Sequence, residues 1–338
     1  MEITRTIPSA CIPVTEPSQA GAARRVAASS SRELGLTEEE QGRAALIATE
    51  LATNLVQHTP SGGEIIVAPA AGAGGIDIIA LDRGPGIADL RKCLQDGYST
   101  AGTAGHGLGS VKRAAALFDV YTAPGKGAVV FARVGGTSGA PGNPLIEVGA
   151  VCLHKAGEEI SGDSWDAQPR PEGAALIVAD GLGHGWGAAE ASRAAVEAFC
   201  RDGALSPQES LVKVHAALRS TRGAAAAVAE LNIRRGVVRF AGVGNIDATI
   251  VNGEASRSLI SHNGILGHLV HKIHELSYPW QPGSLLVMHS DGANSHWDLG
   301  RYAGIANRHP VVIAALLYRD HSRQRDDITV VVARGAQV

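Results

Sequence analysis

Apolar and polar residues follow two different periods along this chain, and the switches between them predict its elements. Ala44, Ile47, Leu51 and Leu55 recur at three- and four-residue spacing, the stripe of an amphipathic helix. Thr37 is its expected N-cap, with Glu40 three residues on in capping-box position. Short apolar runs at Glu64–Ala68 and Ile76–Leu81 predict strands, followed by a Gly-rich loop and a helix from about Gly107 to Phe118. A hairpin closes this half, with Val120–Thr122 and Ala128–Arg133 flanking the turn Pro124-Gly125-Lys126-Gly127.

The segment Gly135–Asn143, GGTSGAPGN, crowds Gly, Ser and Pro between two apolar runs and reads as an interdomain linker. The expected domains are therefore residues 1–134 and 144–338. In the second, strands are predicted at Ile146–Leu153, Ala174–Ala179, Ala225–Ile233, Val237–Ala241, Ala248–Val251, Ser284–His289 and Ile328–Ala333. Helices are predicted at Ala188–Arg201, Pro207–Arg219 and Val311–Arg319. Many strands with few helices predict packed sheets covered by helices, not a βαβ array.

Composition agrees with two folded domains: 338 residues, 45% hydrophobic and 19% charged. A net charge of −3 provides no broad basic field, so neither nucleic acid nor an anionic membrane is expected as a partner. The four cysteines, Cys11, Cys93, Cys152 and Cys200, form no CxxC pair and read as reduced cytoplasmic thiols. The first residues lack a secretory pattern, and no run approaches ~20 apolar residues, so a cytoplasmic protein is expected.

Chemistry in the first half begins on the Thr37 helix, where Glu50, Asn54 and His58 share one face at four-residue spacing. A carboxylate and an amide placed so could hold Mg²⁺ and orient a nucleophile, or could simply form a polar helix face. Asp82-Arg83-Gly84-Pro85-Gly86 follows a strand; an acceptor-only carboxylate there suits an exocyclic amine, and Gly84 and Gly86 let the backbone approach a flat base. Gly102-Thr-Ala-Gly105-His-Gly107-Leu-Gly109 runs into a helix N-terminus suited to phosphate oxygens. Each signal alone is weak; their order is specific.

On ELATNLVQH, DRGPGIADL and QDGYSTAGTAGHGLGSVKRAA, residues 1–134 resemble the GHKL (Bergerat-fold) ATPases, specifically the anti-sigma and stressosome switch kinases of the RsbW and RsbT type. The DGYST lid is closest to the switch kinase. The resemblance implies that Asn54 holds Mg²⁺, Glu50 acts as base toward a substrate Ser or Thr, Asp82 reads adenine with Gly84 and Gly86 beside it, and Gly105, Gly107 and Gly109 embrace the phosphates of ATP. Such a site chiefly aligns the γ-phosphate, neutralises charge and accepts a proton. Too few residues precede Glu50 for a histidine kinase's phosphoaccepting hairpin.

In the second half, aspartates sit at the ends of apolar strands beside small residues: Asp163 in SGDS, just after a strand; Asp180 in DGLGHG; Asp291 in SDG; Asp326 and Asp327 before the last strand. One Asp-Gly after a strand is ordinary turn chemistry. Four in one half-chain suit a hard divalent cation, with glycine leaving room for water and substrate.

Through GEEISGDSW, VADGLGHGWGA, GVGN, HSDGA and RDDITVVVA, about residues 145–335 resemble the SpoIIE/RsbX branch of the protein phosphatase 2C superfamily. That implies Asp180 bridging two Mn²⁺ or Mg²⁺ ions, the Gly181 carbonyl, Asp291 and Asp326 as further ligands, and Asp163 near the shell through water. A two-metal site generates hydroxide near neutral pH for in-line hydrolysis of phosphoserine or phosphothreonine. The eukaryotic branch places a His directly after the DG pair, where this chain has Leu182; His184 is a candidate acid or an ordinary loop histidine, and the branch's phosphate-binding arginine has no clear counterpart. His268, His271 and His274 read as a solvated segment, and His289 as a ligand-orienting or a core residue.

The expected fold is α/β and α+β in two domains: a Bergerat α/β sandwich followed by a phosphatase 2C-like α-β-β-α sandwich. The expected function is a bifunctional partner-switching regulator that adds phosphate to a STAS-domain anti-anti-sigma or stressosome protein and removes it. A sigma factor and a second copy of the chain are further candidate partners. The competing readings are a phosphatase with an ATP-dependent targeting module, and a non-catalytic sigma- or STAS-binding protein.

Overall fold

Two units divide the chain, Met1–Pro141 and Gly142–Val338, in a computed structural model that describes residues 9–71, 74–94, 107–136, 145–201, 205–270 and 272–336. Most of the expected linker 135–143, the DGYST lid, Gly105 and His271 lie outside the described residues.

The first unit runs β1 (Ala10–Val14), α1 (Ser18–Glu33), α2 (Glu38–His58), β2 (Gly63–Pro69), β3 (Gly75–Asp82), α3 (Leu90–Cys93), α4 (Leu108–Ala114), β4 (Leu117–Thr122) and β5 (Ala128–Gly135). Its antiparallel sheet has the order β1-β2-β3-β5-β4. The predicted stripe of α2 is buried in full and packs with Ala23 and Ala27 of α1 against Ile65, Val67, Ile76, Ile78 and Val130 of the sheet. The capping box is formed: the Glu40 N–H donates to Thr37 Oγ1 at 3.3 Å, and the Thr37 N–H to Glu40 Oε2 at 2.9 Å. That contact with the Thr37 N–H holds the Glu40 carboxyl below its ordinary pKa.

The helix expected from Gly107 to Phe118 ends at Ala114, and Ala115 is already extended. Leu117 and Phe118 instead pair with Arg133 and Ala132, because the aromatic and β-branched run LFDVYT completes the hairpin with β5.

The second unit runs β6 (Ile146–Leu153), β7 (Asp163–Arg170), β8 (Gly173–Gly181), α5 (Trp186–Arg201), α6 (Pro207–Ala217), β9 (Ala224–Asn232), β10 (Val237–Val243), β11 (Asp247–Asn252), β12 (Ala255–Leu259), β13 (Leu276–Pro279), β14 (Leu285–His289), α7 (Pro310–His321) and β15 (Ile328–Gly335). Two antiparallel sheets, β13-β10-β9-β8-β7 and β12-β11-β14-β15-β6, face each other. Leu176, Val178, Phe240, Ile250, Leu286, Met288 and Val331 fill the space between them. On the far side of the first sheet, Ile177, Val228 and Val243 meet Ala195 and Phe199 of α5 and Leu211 and Val214 of α6. Helix α7 covers β6 and β15. This α-β-β-α arrangement follows from strands that bury both faces and helices with one apolar side. Among the described residues, no helix is long and apolar enough to cross a membrane.

Candidate active sites

In the first unit, α2 carries Glu50 and Asn54, both half-buried, and the exposed His58. Asp82 ends β3, and its Oδ1 accepts the Gly84 N–H at 2.7 Å, which folds the DRGPG segment back on itself. The hairpin turn braces that loop from the other side. The Gly127 N–H donates to Gly84 O at 2.9 Å, the Gly125 N–H to Pro85 O at 2.9 Å, and the Ile87 N–H to Thr122 Oγ1 at 2.8 Å. Gly86 is left-handed, with φ +77°, and a Cβ there would stand 2.5 Å from Ala123 O. The turn Pro124–Gly127 is therefore part of the site's scaffold, a role its sequence alone did not disclose. Gly107 is the N-cap of α4 and Gly109 is buried within it; α4 packs against α2.

In the second unit, strand ends from both sheets deliver carboxylates. Asp180 comes from β8, Asp291 follows β14, and Asp326 precedes β15. The three line one cavity of about 260 Å³ together with Lys155, His184 and Asn245. Burial and the charges of Asp291, Asp326 and Asp327 push the Asp180 carboxyl up to about 7. The Asn245 side-chain amide donates to Asp291 Oδ2 at 2.7 Å. Asn245 lies in the GVGN segment quoted above, and being uncharged it carried no sign of a role.

Asp163 is not in the cavity lining. It opens β7 instead of following a strand, because DSWDAQPR pairs along β8 from Asp163↔Asp180 to Arg170↔Gly173. Asp163 is 3% exposed, and its Oδ2 accepts the Ser290 hydroxyl at 2.6 Å, whose oxygen in turn accepts the Thr329 N–H at 2.9 Å. Burial first, then the charge of Asp180, raises its pKa well above the carboxylate range. Asp327, passed over as a candidate, ties two loops together by accepting the Lys155 N–H at 2.8 Å and the Gly162 N–H at 2.9 Å. Gly181 ends β8 with its N–H on Gly162 O; a Cβ there would lie 2.0 Å from Ala188 O, so only glycine fits.

Among the described residues, no three His, Cys, Asp or Glu side chains gather closely enough to chelate one ion alone; the carboxylates ring the cavity. The residues nevertheless suit a hard divalent cation. The donors lining the cavity are carboxylate oxygens of Asp180, Asp291 and Asp326. Burial and the crowded negative charge that together hold Asp180 near 7 are what such an ion relieves.

Neither His289 nor His268 nor His274 lines the cavity. His289, 2% exposed, donates from Nδ1 to Ser290 O at 2.9 Å and accepts the Trp297 indole N–H at Nε2, 3.1 Å away. Burial lowers its pKa, in keeping with a neutral core imidazole. His268 and His274 are exposed, and the His274 ring lies against that of His262.

Comparison with known proteins places each unit. Residues 14–133 match the family described as histidine kinase-like ATPase domain, and residues 170–335 match Stage II sporulation protein E (SpoIIE). The chain is 39% identical over 108 residues to the serine/threonine-protein kinase RsbT of Bacillus subtilis (strain 168), covering 31% of this chain and 80% of that protein. It is 29% identical over 155 residues to the phosphoserine phosphatase RsbX of the same organism, 45% of this chain and 77% of that protein. The crystal structure of RsbX in complex with magnesium matches with a TM-score of 0.51 at 23% identity, over 57% of this chain and 97% of that one, a likeness of fold.

Proposed function

We propose that this chain, which belongs to the histidine kinase-like ATPase family through residues 14–133 and to the SpoIIE family through residues 170–335, is a bifunctional partner-switching regulator. Residues 1–134 phosphorylate a Ser or Thr on a STAS-domain protein, and residues 144–338 remove that phosphate. One observation carries the phosphatase half: Asp180, Asp291 and Asp326 surround a single cavity, where burial and the neighbouring carboxylates raise Asp180 to about 7. The kinase half is supported by the shared helix of Glu50 and Asn54, the braced loop after Asp82 and the helix that starts beyond Gly107.

In the second unit Asp180, Asp291, Asp326 and the Gly181 carbonyl would hold a pair of Mg²⁺ or Mn²⁺ ions, which lower the pKa of a water and neutralise the phosphoryl charge. Asn245 fixes the rotamer of Asp291, Asp163 stands beside Asp180 across the β7–β8 ladder, and Asp327 fixes the loop bearing Lys155. In the first unit Asn54 would hold Mg²⁺, Asp82 would accept the adenine amine, and Glu50 would take the hydroxyl proton as it attacks the γ-phosphate. Tethering the two activities raises each one's effective concentration around the shared partner.

The test follows label from γ-labelled ATP onto and off a STAS protein in Mg²⁺. Glu50→Ala should abolish transfer and spare removal, and Asp180→Asn the reverse. Transfer by Glu50→Ala at the wild-type rate would remove Glu50 as the base, and no transfer by the wild-type chain would reduce the first unit to an ATP-dependent targeting module.

A further inference from the structure

We propose that His184, held by Glu158, is the acid that protonates the leaving serine or threonine oxygen during phosphate removal; the inference rests on the phosphatase reading above. The His184 Nδ1 lies 2.6 Å from Glu158 Oε1. A carboxylate only accepts, so the hydrogen between them sits on Nδ1, leaving Nε2 as the nitrogen through which the ring can exchange a proton with the substrate. His184 lines the same cavity as Asp180, Asp291 and Asp326. Histidine is the side chain best suited to giving up and regaining a proton near neutral pH, and a carboxylate on one ring nitrogen fixes the orientation of the other.

The backbone is shaped for this pair. His184 lies between Gly183 and Gly185, with φ +89° and +73°, both left-handed. A Cβ on Gly185 would stand 3.3 Å from Glu158 Oε2, so glycine gives the carboxylate its approach to the loop. His184 lines the acidic cavity on the loop that follows Asp180, and Glu158 reaches it from the segment between β6 and β7. Lys155, which also lines the cavity, suits the phosphoryl oxygens.

The step balances as follows. An attacking water gives its oxygen and one proton to phosphorus and its other proton to solvent. The bond from phosphorus to the substrate oxygen breaks, and its electron pair stays on that oxygen. The oxygen takes the proton from His184 Nε2, and solvent returns a proton to the imidazole. Glu158 is a positioning residue, acting only through His184.

Leaving-group dependence tests the pair. An alkoxide needs a proton to depart, whereas p-nitrophenolate departs readily without one. The full chain, with Mn²⁺ or Mg²⁺, is assayed on a phosphoserine peptide and on p-nitrophenyl phosphate. A positioned acid contributes ~10²–10⁴-fold, so His184→Asn should lose about 30-fold or more beyond its loss on the aryl ester when assayed on the peptide. Glu158→Gln should shift the same ratio in the same direction by a smaller factor, a change that mere loosening of the loop would not produce. Equal losses on both substrates, or none, would overturn the assignment while leaving the phosphatase reading intact. Wild-type protein inactive on both would overturn that reading and the assignment with it.

Discussion

Asp163 and Asp180 are Cα partners across the β7–β8 ladder, so their carboxylates stand on the same face of one sheet. Both are largely buried, and burial is the first cause that raises each pKa; the charge of Asp180 adds to the rise at Asp163, and those of Asp291, Asp326 and Asp327 to the rise at Asp180. The fold therefore holds these groups against their own repulsion, an arrangement that serves a cation and not stability.

Asp180→Asn should accordingly stabilise the metal-free second unit while abolishing phosphate hydrolysis. Removing one charge from such a cluster is worth on the order of 1–3 kcal/mol. Urea denaturation in EDTA, followed by fluorescence, measures the gain. All four tryptophans, Trp165, Trp186, Trp280 and Trp297, lie in the second unit, so the signal reports that unit alone. A loss of stability would show that the carboxylate is structural.

The same strain fixes a pH dependence. The folded-state pKa of Asp180 is raised to about 7, and those of Asp163 and Asp327 are raised in the same direction. Folded protein therefore binds more protons than unfolded protein between the ordinary carboxylate pKa and about 7. This stabilising contribution is complete below about pH 4 and is lost as pH rises through 7. In EDTA, the fluorescence melting temperature should fall from pH 5 to pH 8. Mn²⁺ displaces those protons, so it should raise the melting temperature more at pH 8 than at pH 5. A metal effect independent of pH would contradict the carboxylate cluster as its site.

Most of the interior was legible in the sequence because strands buried on both sides read as unbroken apolar runs. The four strands that escaped, β1, β7, β12 and β13, are all sheet edges. Edges bury less and tolerate proline, as Pro13 in β1 and Pro169 in β7 show, so their apolar pattern is faint. Helix α1 escaped for a different reason: its buried face is Ala23, Ala27 and Ser31, small residues without a strong stripe. Missing β7 also hid the Asp163–Asp180 pairing, which depends on strand register and not on spacing along the chain. Asp180 and Asp291 announced themselves by their Asp-Gly contexts and Asp326 by its place before the last apolar strand; Asn245 and Glu158 act through partners distant in sequence, and only the fold brings those together.

In the first unit, the capping box supports the helix on which Glu50 and Asn54 stand. Thr37→Ala removes the hydroxyl that accepts the Glu40 N–H and should cost ~0.5–2 kcal/mol. Circular dichroism of residues 1–134 within the full chain is masked by the second unit, so hydrogen exchange at amides of residues 38–58 is the better measure. Faster exchange across the first turn, fading toward Glu50, is expected. Unchanged protection would mean that packing of Ala44 and Ile47 alone holds the helix start.

Asn245 offers the sharpest separation of orienting from ligating groups. Its amide donates to Asp291 Oδ2, occupying one lone pair and fixing which way the carboxylate turns, yet it brings no charge to the cavity. Asn245→Ala frees Asp291 to rotate without altering the number of acidic groups. Losing such an outer hydrogen bond typically weakens metal affinity 10–100-fold, so the Mn²⁺ concentration for half-maximal hydrolysis should rise by about that factor. Because the carboxylates remain, saturating Mn²⁺ should restore most of kcat, whereas Asp291→Asn should stay inactive at any concentration. If Asn245→Ala loses kcat without a change in metal dependence, its amide touches the substrate and not the ligand shell.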